Sequence, residues 1–240
     1  MTEKKLFDEI RKFCKKNADE KIVQKYAKYF VEGYDAYGVD GKLSEEQRKV
    51  WFEKYKDDLG FDGFLKLGDL LVKDDKYEEV FFAIWFANKF QKEFTSKTLN
   101  RFYQWIDVGI KNWAHSDVMS GEILSPFLTK NIVSLDKFSG WRKSKNKWHR
   151  RAVPVMMIKY LKNEPDIKIL LDFIDTLMMD EEKVVRQGLG WFLREAWKKN
   201  PEPVEKFLLK WKNNCGRLII QYATEKMKPQ EKERFRKSKQ

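Results

Sequence analysis

The sequence predicts an all-α fold, a solenoid of stacked helix pairs, and three observations carry that reading. Apolar residues recur at three- and four-residue spacing nearly from end to end. Only six prolines and twelve glycines interrupt the 240 residues. One helix-sized segment also occurs twice. No strand pattern competes, since Asp40-Gly41, a dipeptide suited to a hairpin, is flanked by helical segments instead of alternating ones.

The elements follow in chain order. The N-terminus, MTEKKLFDEIRKF, mixes acid, base and apolar residues at helical spacing and lacks the apolar stretch and cleavage site of a signal peptide. No apolar run nears the ~18 residues of a membrane span. Residues 43–55 open with Ser44 followed three positions later by Gln47, a capping-box start. Residues 77–91, 187–199 and 204–212 are amphipathic, and Asn200-Pro201 sets a cap before a proline at the first helical position. The tail from Lys228 is polar, and its last eight or so residues (~8) are expected to fray. No linker divides the chain, so residues 1–240 are expected to form a single domain.

The repeat sharpens the class. WHRRAVPVMMIKYLKNEPD, from Trp148, aligns without gaps on VVRQGLGWFLREAWKKNPE, from Val184, at an offset of 36 residues. Arg150 falls on Arg186, Leu161 on Trp197, Lys162 on Lys198 and Pro165 on Pro201. A helix pair recurring near this length marks an α-solenoid of HEAT-like helical repeats. Pro154, inside the first copy, is expected to kink its helix.

Charge narrows the partner. Forty-nine Lys and Arg against thirty-seven Asp and Glu give a net charge of +12 and a pI near 9.4, a balance that favours a polyanion through counterion release. Cys14 and Cys215 have no metal or redox spacing, which fits packed thiols in a reducing cytoplasm.

Helical projection places these charges. Over residues 184–198, Val185, Leu189, Phe192, Leu193 and Ala196 form one apolar stripe. Trp191 stands away from it with Gln187, Arg194 and Lys198, either as an aromatic on a nucleic-acid surface or packed on a neighbouring repeat. In the preceding repeat Val153, Met156, Met157 and Tyr160 make the core stripe, with Trp148, Arg151, Lys159 and Lys162 opposite. Stacked as neighbours, the two helices would join their cations into a basic concave face.

In KNWAHSD, Trp113 and Asp117 are four apart and share a helix face. An acid beside a tryptophan on a basic chain has a catalytic reading, but spacing alone favours Asp117 as the cap of a helix starting at Val118. His115 and His149 read equally as exposed polar residues or as ligands. There is no HExxH, paired CxxC, P-loop or GxGxxG, which argues against a metal hydrolase or a nucleotide-driven enzyme.

At these residues the sequence resembles the AlkD-like DNA alkylation repair glycosylases, a HEAT-like repeat family, most strongly from Phe102 to Tyr222. The family's tryptophan and aspartate match Trp113 and Asp117. Its N-x-W-x-x-R-A arginine matches Arg151 in NKWHRRA, and a basic residue eight positions on matches Lys159. Its GW-x-LRE signature matches GWFLRE, with Trp191 and Arg194. AKYFVEGYDAYGV looks like the family's first repeat, with Tyr29 placed to approach DNA. One departure stands out: many members follow the tryptophan with a second acid, where this chain has Ala114.

The resemblance implies hydrolysis of the N-glycosidic bond of cationic N3- or N7-alkylated purines in duplex DNA, without base flipping. It implies Asp117, Trp113 and Trp191 as catalytic residues and Arg151, Lys159, Arg194 and Tyr29 as DNA contacts. No metal, nucleotide cofactor or membrane is expected, and the protein is expected to act as a cytoplasmic monomer. The alternatives are a HEAT-like protein that binds distorted DNA without cutting it and a HEAT-type protein-interaction scaffold.

Overall fold

A computed structural model describes residues 2–74, 76–164 and 166–238, and every regular element among them is helical. The all-α prediction holds. No helix among the described residues is long and apolar enough to cross a membrane. The chain divides into two compact units, Met1–Ile123 and Leu124–Gln240.

The first unit contains α1 (Thr2–Lys16), α2 (Glu20–Ala27), α3 (Gly41–Leu71), α4 (Tyr77–Asn88), α5 (Ser96–Gly109) and α6 (Trp113–Val118). α1 buries Leu6, Phe7, Ile10 and Cys14, one stripe at helical spacing, against α3. α3 is two helices meeting at Gly60, whose φ of 54° and ψ of −168° only glycine adopts without strain. α3 also packs on α4, which is apolar on most of its circumference and buries Val80, Phe82, Ala83, Ile84, Phe86 and Ala87.

The cap of α3 differs from the prediction. Asp40, not Ser44, is the N-cap, and its carboxylate accepts from the amides of Lys42 and Leu43 at 3.0 Å each. Both residues are good caps; the helix begins at the earlier one and leaves Ser44 inside.

Two buried acids in the first turn of α4 tie this unit together. Glu79 receives both Nε and Nη2 of Arg11, each at 3.1 Å, and the Tyr37 hydroxyl at 2.7 Å. Glu78 accepts from the amides of Tyr37, Gly38 and Val39, fixing the segment that leads into α3.

The second unit contains α7 (Ser125–Thr129), α8 (Lys147–Tyr160), α9 (Ile167–Ile174), α10 (Lys183–Trp197), α11 (Pro201–Trp211), α12 (Arg217–Ala223) and α13 (Pro229–Lys232). The two copies of the repeat are α8 and α10, and they pack side by side, with α12 on the other flank of α10. Every residue of the expected α10 stripe is fully buried, as are Val153, Met156 and Met157 of α8. Pro154 lies within α8. The aligned Arg150 and Arg186 clasp one residue: Arg150 Nε meets the Asp180 carboxylate and Arg186 Nε donates to its carbonyl, both at 2.6 Å. The Pro165 end of the alignment lies outside the described residues.

Asn200 is the N-cap of α11 with Pro201 in the first turn, although its side chain makes no capping bond. The tail is held more firmly than its composition suggests: Phe235 is fully buried, and Arg217 Nη1 donates to its carbonyl at 2.8 Å.

Candidate functional site

The sequence-predicted residues fall into two groups, one in each unit. In the first unit α6 carries Trp113 and Asp117. Asn112 is its N-cap, accepting from the His115 amide at 2.9 Å through Oδ1. Asp117 therefore lies half-buried inside the helix, one turn after Trp113, and the N-cap position belongs to Asn112. The cap reading fails because the helix begins five residues earlier than that reading required. Directly after α6 the chain widens into a π-helix, Met119–Leu124, a form found frequently beside functional residues.

Trp113 is exposed (42%) yet fixed. Its indole N–H donates to the Tyr29 carbonyl at 3.0 Å, and its ring stacks on Phe30 at 5.6 Å with 13° between planes. Tyr29 itself is exposed, with Lys28 Nζ 5.2 Å from its ring centroid. Phe30 in turn stacks on Tyr34 at 4.6 Å. The segment that resembles the family's first repeat is thus the support of the tryptophan.

His115 lies beneath this face, buried, and is neither an exposed polar residue nor a ligand. Its Nδ1 faces Asn112 Nδ2 and its Nε2 faces the Tyr77 carbonyl, both at 3.0 Å. One assignment satisfies both: neutral imidazole, accepting at Nδ1 and donating from Nε2. Burial pushes its pKa down to about 3. Burial also raises the hydroxyl of Tyr77 to about 12, with Glu78 adding to the effect. The Asn112–His115 brace was missed in the sequence, although an Asn three residues before a His at a helix start is a legible cap. Ala114, the departure from the pattern the sequence resembles, is buried.

In the second unit two residues expected on the polar face of α8 are buried. Trp148 is 5% exposed, and Arg151 is also 5% exposed, donating through Nη1 to the Val184 carbonyl of α10. α8 contacts α7, α9, α10 and the 3-10 segment Leu135–Lys143, so more than one of its faces is covered. Lys159 and Lys162 remain exposed as expected. His149 is fully buried too, its Nδ1 3.0 Å from Ser144 Oγ and its ring 5.0 Å from that of Trp141.

On α10, Trp191 is half-buried and lies outside the apolar stripe. The preceding Gly190 lets α12 approach: a Cβ there would collide with Tyr222 and the Ile219 carbonyl. Gln187, one turn before Trp191, donates to the Tyr222 hydroxyl at 2.9 Å. Arg194 is committed within the protein, paired with Glu195 at 3.0 Å and with Glu225. Burial alone would raise Glu195, but hydrogen bonds from Lys198 and Arg194 hold it below the ordinary carboxylate range. Among the described residues, no three His, Cys, Asp or Glu side chains gather as a metal site requires.

A family model described as DNA alkylation repair enzyme matches residues 10–227. A structure titled as a predicted DNA alkylation repair enzyme from Enterococcus faecalis superposes with a TM-score of 0.77 at 14% identity, covering 89% of this chain and 98% of that one. AlkD2 from Streptococcus mutans gives 0.57 at 22% identity, covering 86% and 98%. The smu.31 protein of Streptococcus mutans UA159 gives 0.58 at 23%, covering 78% and 96%. No curated protein matches the chain. With nearly its whole length matched from α1 to the end of α12, this chain belongs to the DNA alkylation repair enzyme family.

Proposed function

We propose that this protein is a DNA glycosylase that hydrolyses the N-glycosidic bond of cationic N3- and N7-alkylated purines in duplex DNA, without flipping the base and without a metal. One observation supports this most: Asp117 lies inside α6, one helical turn from an exposed tryptophan whose ring is fixed by Tyr29 and Phe30. A carboxylate and a π face held in register suit a reaction that develops positive charge.

An alkylated purine already carries that charge, so it departs as a neutral base and needs no general acid. As the C1′–N bond breaks, the bonding electrons leave with the base and the sugar becomes oxocarbenium-like. Asp117 stabilises this cation and orients the attacking water, whose oxygen bonds to C1′ as its proton passes to bulk water. The π face of Trp113 stabilises the same charge, and Trp191, in the second unit, offers its own π face to the DNA. Tyr29 and Lys159, both exposed, contact the DNA backbone. Arg151 reaches it only by its rim, and Arg194 contacts phosphate by exchanging Glu195 and Glu225 for it.

The test is release of free methylated base from N-methylpurine duplex DNA by the purified protein, with unmodified duplex as control. Release from the first and almost none from the second is expected. Tight binding to methylated duplex without release would instead identify a non-catalytic DNA binder.

A further inference from the structure

The first unit holds a cavity of about 370 Å³ that the proposed reaction does not use. Its size lies within the ~300–1,000 Å³ range of small-molecule sites. Tyr26, Tyr34, Tyr77 and Phe81 supply aromatic wall, and Lys25, Ser44 and Arg48 supply polar groups; Tyr29, Trp113 and Asp117 do not line it.

The charges in this cavity are unequal in kind. Its two acids are occupied, Asp40 by the amides that start α3 and Glu78 by the three amides of residues 37–39. Its cations are not. Lys25 and Arg48 have no ion pair among the described residues, and Arg48 is held over the Trp85 ring at 4.9 Å. Arg48 Nε and, one turn earlier on the same face, Ser44 Oγ are buried without a hydrogen-bond partner. Leaving such donors unmet is unfavourable unless an acceptor arrives. A guanidinium beside a hydroxyl suits phosphate, and tyrosine rings in the wall suit a planar base.

We infer that this cavity binds a nucleoside 5′-monophosphate, its base among Tyr26, Tyr34 and Tyr77 and its phosphate on Arg48 and Ser44. A free mononucleotide and the 5′-phosphorylated end of a strand share this chemistry. The inference is independent of the glycosylase reading, because it invokes none of the same side chains.

Titration calorimetry of the full chain with dAMP, deoxyadenosine and inorganic phosphate tests it. dAMP is expected to bind at least tenfold tighter than either fragment. Arg48→Met keeps the aliphatic stem and should cost at least tenfold for dAMP while leaving deoxyadenosine unchanged; its unfolding midpoint checks the fold. Ser44→Ala, a milder change, should weaken dAMP in the same direction. A 5′-phosphorylated trinucleotide separates the sources, since a strand-end pocket binds it as tightly as dAMP and a free-nucleotide pocket excludes it. No dAMP binding at millimolar concentration, or dAMP binding unmoved by both substitutions, overturns the inference. Base release that persists without dAMP binding rejects this site alone; dAMP binding without base release rejects the glycosylase reading alone.

Discussion

The indole N–H of Trp113 donates to the main-chain carbonyl of Tyr29 at 3.0 Å, joining residues 84 positions apart. The Trp113 ring is thereby fixed to the backbone of Tyr29, a second residue proposed to face DNA, before any DNA arrives. The bond involves backbone on one side, so only the tryptophan can be varied. Trp113→Phe keeps an aromatic ring against Phe30 and removes the donor. Unfolding free energy should fall by only about 1 kcal/mol, the net worth of an ordinary hydrogen bond. Base release should fall further, by on the order of 10–10²-fold, as misorientation of a reacting group does. Equal base release by wild type and variant would show that ring orientation is irrelevant.

The α10 stripe was legible because period alone specifies one buried face, and the Trp113–Asp117 pair was legible because four residues make one turn. What period cannot show is how many faces a helix buries. Trp148 and Arg151 lie opposite the apolar stripe of α8, yet neighbours cover them as well. Nor does composition tell which cap wins when two are available, as with Asp40 and Ser44. Asn112 and Ser144 bond the two histidines locally, but the burial of the rings had no local signal, since Tyr77 and Trp141 come from other elements.

Burial separates Trp148 of α8 from Trp191 of α10. Trp148→Ala should cost ~3–5 kcal/mol, as truncating a core tryptophan does. Trp191→Ala, at a half-buried position, should cost less than half as much and leave the fold intact. Denaturant titration of both variants decides. A larger loss for Trp191 would make that ring a packing residue and remove it from the proposed site.

The cations should separate in the same way. Lys159 is exposed, so Lys159→Ala should lower the slope of log affinity against log salt by about one unit. Arg151→Ala should act mainly on stability, at about 1–3 kcal/mol, because it removes a buried charge-assisted hydrogen bond to the Val184 carbonyl. A Lys159 variant with the wild-type slope would show that this lysine contacts no phosphate.

The site in the first unit should weaken in acid through His115. Its folded pKa of about 3 lies below the ordinary value near 6.5, so between these limits the unfolded chain binds the extra proton. Stability from this group is complete above about pH 6.5 and is lost as pH falls toward 3, at up to about 1.4 kcal/mol per pH unit. His115→Gln should be less stable at pH 7 and show a shallower decline from pH 6.5 to 4. A ring that titrates near 6.5 by NMR in the folded protein would contradict this.

Asp117 carries the functional reading, and its charge can be removed without its shape. Asp117→Asn keeps the size of the side chain, and since α6 is capped by Asn112, no cap is lost. The fold should survive, and DNA affinity should hold or rise as a negative charge leaves a phosphate-binding surface. Base release from methylated duplex should drop by on the order of 10²-fold or more, the usual loss when a preorganised electrostatic group is removed. Single-turnover measurement with enzyme in excess isolates this effect from product release. The drop should be nearly the same at every salt concentration, because the carboxylate acts on the sugar cation and not on phosphate. An Asn variant that excises methylated bases at the wild-type rate would remove Asp117 from the chemistry, whatever the activity of the protein.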